Sequence, residues 1–349
     1  MGVLRLFFAF SVMLGHTQVD LLISPIYAVQ GFYIISGFYM SFILNEKYSL
    51  PKQNVTFFKK RFMRLLPTYW LVAAISLIIA ILLYKKGLTN IFFFDFLNYP
   101  DNASFLTYLY TIITNIFVIG QDISLFLGIS PDSGDLFFST AAFAECHPMA
   151  RYGLSGVSWS IASEFLFYII APFILRHKKP YIIILFVISL FSNYIVNAIG
   201  LNDSNWRFRF FPSELMFFLT GYISYLIYLR ISKYGINTSY KYLFLSVILL
   251  LTIVVLRSDL SYAYHTAFLL VSCAISIPYL FYSFKFNTID KYIGEMSYPL
   301  YLIHPVFIGI NVLTGFNSSL FIITCSVLAS FMCYKFFIMP IEKYRSKIS

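Results

Sequence analysis

Apolar runs of about 20 residues, the length an α-helix needs to cross the ~30 Å hydrocarbon core of a bilayer, follow one another along nearly the whole of this chain. Polar breaks divide them into ten segments, at 3–22, 26–45, 66–84, 157–175, 181–200, 210–229, 240–257, 262–283, 297–314 and 318–338. Hydrophobic residues make up 59% of the 349 and charged residues 11%, too few to solvate a soluble surface. The expectation is an all-α integral membrane protein, with about ten transmembrane helices in one bundle. A single membrane domain over 1–345 is expected, with no appended soluble domain. The first run has no small-residue cleavage site behind it and reads as a retained helix. Leu6 stands where a myristoylation signal needs Ser or Thr.

The net charge of +10 suits nucleic acid only if it is clustered, and it is not. With the N-terminus and C-terminus in the cytoplasm, 19 of the 25 Lys and Arg residues fall inside. Lys85, Lys86, Arg151, Arg207, Arg209 and Arg257 are left outside. That asymmetry is the positive-inside rule, so the charge sets topology and nucleic acid is excluded as a partner. A span at 105–127 would invert every later loop. The stretch 87–156 is therefore expected to be an extracytoplasmic loop, with 105–127 interfacial or re-entrant. A loop of that length in a compact protein is usually functional. Of the four cysteines, Cys273, Cys325 and Cys333 lie in apolar runs and Cys146 in this loop, which implies no disulfide framework.

Ionisable groups are costly in lipid and mark functional positions by default. Arg5 and His16 share the first run, and eleven residues bring a helix back to nearly the same face roughly 16 Å further on. His16 can act as a general base or nucleophile, or simply bond a neighbouring carbonyl. It is expected about six residues, roughly 9 Å, from the outer end of its run, and Glu164 roughly 10 Å from the same side. A carboxylate there can orient an imidazole; it can also merely cap its own helix. Arg61 and Arg64, at i and i+3, present two guanidinium forks suited to phosphate, although a basic cluster at this position also serves as a lipid anchor.

On the outer side, Arg207 and Arg209 can grip an anionic sugar or pair with Glu214. Tyr301 and His304 stand at i and i+3 before Pro305; His304 can line a cavity or satisfy the carbonyl that the proline frees. His265 reads as an interface residue and His177 as a cytoplasmic one. No Gly-rich phosphate loop, metal-ligand spacing or Gly-x-Ser-x-Gly elbow occurs.

The order of these pieces resembles the membrane acyltransferase family 3, whose multi-span members O-acylate cell-surface carbohydrates. The pieces are Arg5 and His16 with ten residues between them, then Gly31-Phe32-Tyr33-Ile34-Ile35-Ser36-Gly37-Phe38, then Arg61 and Arg64 with Leu66-Pro67-Thr68-Tyr69-Trp70. Trp159-Ser160 leading to Glu164 and Phe167-Tyr168 follows, then Ser297-Tyr298-Pro299-Leu300-Tyr301-Leu302-Ile303-His304 and Pro340-Ile341-Glu342-Lys343. Where the family often has a second polar residue after the glutamate, this chain has Phe165 and Leu166.

The resemblance implies His16 as the essential histidine and Arg5, Arg61 and Arg64 on the donor side. It implies Glu164 among the functional polar groups, and no bound cofactor, with acetyl-coenzyme A or another acyl-coenzyme A as co-substrate. The partners implied are a glycan or lipid-linked glycan acceptor, the bilayer of a bacterial inner membrane, and a second copy of the chain or a polysaccharide assembly complex. The rival readings are a proton-coupled glycan or small-solute transporter, whose His, Glu and Arg form a proton relay, and an inactive scaffold in such a complex.

Overall fold

The computed structural model describes residues 1–17, 19, 21–88, 94–141, 147–176, 179–201 and 203–347. Cys146, His177 and Lys178 lie outside the described residues. Every expected span contains a helix. Those long and apolar enough to cross a membrane are α2 (Pro25–Glu46), α3 (Asn54–Lys85), α6 (Lys179–Ala198), α8 (Phe211–Tyr234), α10 (Tyr262–Phe284), α11 (Thr288–Thr314) and α12 (Ser319–Cys333) with its continuation to Ser346 through α13 (Met339–Ser346). Three expected spans are shorter helices: α1 (Gly2–His16, 15 residues), α5 (Ser158–Ile174, 17 residues) and α9 (Lys241–Leu256, 16 residues). The expected count of ten is not confirmed: among the described residues seven helices have spanning length and composition.

The described residues cluster into two compact units. The first comprises Met1–Phe57, Phe167–Ser192 and Pro212–Tyr301. In it α1 and α2 form an antiparallel hairpin: Phe8 packs edge-on against Phe32, and the Phe8 ring lies where a side chain at Gly31 would be. Helices α2 and α8 run side by side in the same direction. A Cβ added at Gly37 would fall 1.9 Å from the Phe218 carbonyl oxygen, and one at Gly221 2.3 Å from the Ile34 carbonyl oxygen. Small residues let backbones touch in this way, which is how helices associate where no water is available to drive them together. The faces turned outward are apolar, as at Ile183, Ile184, Val187 and Ile188 of α6, the mark of a surface solvated by lipid.

The second unit comprises Phe58–Leu166, Asn193–Phe211 and the chain from Leu302 onward. It holds most of α3, the start of α5, α4 (Phe105–Phe117) and the short α7 (Ser204–Phe208). Within 87–156, where only a loop and an interfacial piece are expected, a three-stranded antiparallel sheet forms. Its order is β2 (Leu136–Phe138), β1 (Leu127–Ile129), β3 (His147–Pro148), with Gly128 opposite both Phe137 and Pro148. Strands of two or three residues are too short for the alternation that betrays a strand in sequence. Ile129, Met149 and Tyr152 make a small core beneath them, and Leu125, Phe126 and Trp206 another.

Helix α4 is amphipathic in reverse. Thr107, Thr111, Thr114 and Asn115 are buried, whereas Phe105, Leu106, Ile112, Ile113, Ile116 and Phe117 are exposed. At 13 residues it is roughly 20 Å long, too short to cross. The placement of 105–127 as a piece that does not span fits this geometry.

Candidate functional site

Helix α1 carries Arg5 and His16, and its start is held by a residue 288 positions away in sequence. The Asp290 carboxylate accepts the Gly2 amide at 2.8 Å and the Val3 amide at 3.1 Å. The first amides of a helix have no partner within it, and a carboxylate placed there also meets the positive end of the helix dipole. The contact requires Gly2, since a Cβ there would fall 1.6 Å from the Asp290 carbonyl oxygen. His16 stands in the last turn, half-buried. The expectation that it lies six residues inside its helix is corrected. The helix stops at His16 because the Thr17 amide closes back onto the Met13 and Leu14 carbonyls and the Thr17 hydroxyl donates to Leu14. A cation is favoured at such a C-terminal turn.

In the second unit Arg61 is buried and Arg64 half-buried on α3. The ring of Phe62 packs against that of Phe165, centroids 5.1 Å apart, and Phe165 adjoins Glu164 on α5. Glu164 therefore lies level with the arginine pair. Glu164 is also the seventh residue of α5, as far into its helix as expected. Helix α5 starts beside Tyr69, and roughly 24 Å of α3 separates Tyr69 from Lys85, the end expected outside.

The cause is a hydrogen-bonded clasp that sequence reasoning missed. Gln121 Nε2 donates to Tyr69 Oη at 3.1 Å and to the Thr114 carbonyl at 2.9 Å, while its Oε1 accepts the Ser158 hydroxyl at the head of α5. Tyr69 donates to the Asn115 carbonyl at 2.9 Å and Trp70 to the Ile116 carbonyl at 2.7 Å. The C-terminus of α4 is thus brought to the middle of α3. Val118, which closes α4, is fully buried at φ 67°, a conformation a β-branched residue adopts only under strain.

Glu214 is buried in the first turn of α8, where its Oε1 accepts the Gln30 amide at 3.1 Å; the same amide nitrogen lies 3.2 Å from Tyr262 Oη. Arg209 donates to Asn205 at 2.9 Å and lies over the Trp159 ring, 4.8 Å from its centroid. Arg207 lies over the neighbouring Phe208 ring. Tyr301 packs edge-on against Phe32, and His304 is fully buried on α11. His265, in the first turn of α10, is buried and bonds Tyr27 Oη through Nδ1 at 2.9 Å. Gln30 and Asp290 left a signal in the sequence: one is a lone amide inside an apolar run, the other an acid in the first turn of a helix. Gln121, in an irregular stretch, left none.

Two guanidiniums one helical turn apart and a carboxylate at their level, in a helical protein with lipid-facing surfaces, fit an enzyme that handles a phosphate-bearing donor at a membrane. The family model of an acyltransferase domain, acyltransferase 3, matches residues 1–338. The chain belongs to the acyltransferase 3 family. As a multi-pass membrane acyltransferase it matches the expectation drawn from its motifs, and a transporter is not favoured. No curated protein and no solved structure matches this acyltransferase.

Proposed function

We propose that this acyltransferase moves an acyl group, acetyl in the simplest case, from cytoplasmic acyl-coenzyme A to a hydroxyl of a cell-surface or lipid-linked glycan. The glycan is an O-antigen, a capsule or an exopolysaccharide, modified at a bacterial inner membrane with both chain termini in the cytoplasm. The observation that carries this reading is the family match over residues 1–338. Arg61 and Arg64, one helical turn apart, support it, because paired guanidinium forks bind phosphates in bidentate fashion. With Arg5 they hold the donor's phosphates, and the coenzyme's flexible arm carries the thioester on towards His16.

His16 takes the proton of the acceptor hydroxyl as its oxygen attacks the thioester carbonyl. The new C–O bond forms, the C–S bond breaks, and the thiolate leaves to be protonated. In the variant route the imidazole itself carries the acyl group between donor and acceptor. Glu164 belongs to the functional polar groups of this reaction. Arg207, Arg209, Glu214, Tyr301 and His304 serve the acceptor.

The test is mass spectrometry of surface glycans from cells with the protein, without it, and with His16→Ala. Loss of one acyl mass increment in the last two, with His16→Ala still inserted in the membrane, supports the proposal. Full acylation by His16→Ala overturns the role of His16, and unchanged glycans in the deletion overturn the reading as a whole.

A further inference from the structure

Three helices of the first unit begin at one place. Gln30 lies in the second turn of α2, Glu214 in the first turn of α8, and Tyr262 is the first residue of α10. A single amide nitrogen, Gln30 Nε2, serves both Glu214 Oε1 and Tyr262 Oη. That leaves the remaining oxygen on each side chain, Gln30 Oε1 and Glu214 Oε2, buried and without a hydrogen-bond partner among the described residues. Gln30 is 0% exposed and Glu214 1%. Tyr262 is half-buried, and its ring is stacked on that of Tyr27, whose hydroxyl is tied to His265.

Buried polar atoms are almost always satisfied, so two neighbouring acceptor oxygens without a donor call for an occupant that brings hydrogens. Helix starts carry positive partial charge, which opposes a cation and favours an occupant with electron-rich oxygen. A group that donates and accepts at once meets both demands, and a hydroxyl is the simplest such group. The aromatic rims of Tyr27 and Tyr262 add apolar surface of the kind on which the C–H face of a sugar ring rests.

We propose that Gln30 and Glu214 form a hydroxyl-binding site that takes a neutral sugar of the acceptor glycan. This rests on the acyltransfer reading above and adds to it the chemical class of the acceptor's recognised part and the residues that recognise it. The arginines at 207 and 209 are not needed for it, so the sugar bound here carries no obligatory negative charge.

The full chain in lipid nanodiscs is probed by saturation-transfer NMR with the methyl glycosides of glucose, galactose and rhamnose. Acetyl-coenzyme A binding is measured on the same samples. At least one glycoside is expected to give a saturable signal in the wild type. Gln30→Leu should weaken it at least tenfold, and the near-isosteric Glu214→Gln measurably, with acetyl-coenzyme A affinity within twofold of wild type in both. The proposal is overturned if no glycoside binds the wild type, or if binding is the same in both variants, which would mean that buried water satisfies the two oxygens. Failure of the glycosides alone, with acetyl-coenzyme A still bound, removes this site and spares the acyltransfer reading. Failure of acetyl-coenzyme A on the wild type removes both.

Discussion

Gly37 and Gly221 mark the place where α2 and α8 touch backbone to backbone, a Cβ at Gly221 falling 2.6 Å from the Gly37 carbonyl carbon. Each lies seven residues, two helical turns, beyond the polar residue that joins the same two helices, Gln30 on one and Glu214 on the other. The close contact therefore sets the register in which the buried amide and carboxyl meet.

Gly37→Ala should cost about 3 kcal/mol, at the upper end of overpacking, because the new methyl meets a carbonyl and no side chain can move aside. Thermal unfolding in nanodiscs checks it. Ser41→Ala, one turn on, where the hydroxyl donates to the Gly37 carbonyl, should cost less than half as much.

Asp290→Ala removes the cap from α1 and should lower stability by about 1 kcal/mol, whereas Asp290→Asn, which still accepts an amide, should lower it less. If α1 must be held in place for Arg5 and His16 to act, acyl transfer should fall in the same order. An unchanged transfer rate in Asp290→Ala would show that the cap serves stability alone.

Arg61→Lys and Arg64→Lys separate donor binding from topology. Lysine satisfies the positive-inside rule equally well but lacks the planar fork. The double variant should insert normally and raise the KM for acyl-coenzyme A about tenfold, the scale of a lost charge-assisted pair. Equal KM values in the two proteins would reduce these arginines to anchors.

Gln121→Leu removes one partner each from Tyr69 and Ser158, whose hydroxyls keep the Asn115 and Ser155 carbonyls, and should cost about 1 kcal/mol, the net worth of a lost hydrogen bond. Because the clasp sets where α5 begins, kcat should fall more than donor KM rises. Steady-state kinetics against acyl-coenzyme A reads that split.

Asp122, beside the clasp, is buried, and burial raises its carboxyl above the usual carboxylate range. The folded chain then holds that proton more tightly than the unfolded one. Stability from this group is greatest below the unfolded value of about 3.9, falls as pH rises towards the raised folded value, and stays level above it. Asp122→Asn should accordingly raise the melting temperature at pH 7, and the gain should shrink towards pH 3. A gain that is constant with pH would locate the effect elsewhere.

Much of this was legible in residue order. The recurring apolar runs announced a helical membrane protein, and Arg5, His16, Arg61, Arg64 and Glu164 in their order pointed to the acyltransferase 3 family. Two things misled. The first run extends through Thr17, Gln18 and Asp20 to Leu22, so α1 looked longer than it is; the helix closes at Thr17 through backbone bonds to Met13 and Leu14. Glu164 lies as far into its helix as expected, but nothing in the apolar run shows that α5 begins beside Tyr69, where Gln121 joins Tyr69 to Ser158.

The apolar runs by themselves determined that this chain belongs in a membrane and which segments are helical, because a bilayer demands long apolar helices and penalises every charge it admits. Only tertiary structure decided where those helices begin and what their polar residues touch. The Gln121 clasp, the Asp290 cap and the Gln30–Glu214 pair each join residues far apart in the chain. Hydrogen bonds between distant segments leave no period in a sequence, so their geometry comes into view only once the helices are packed.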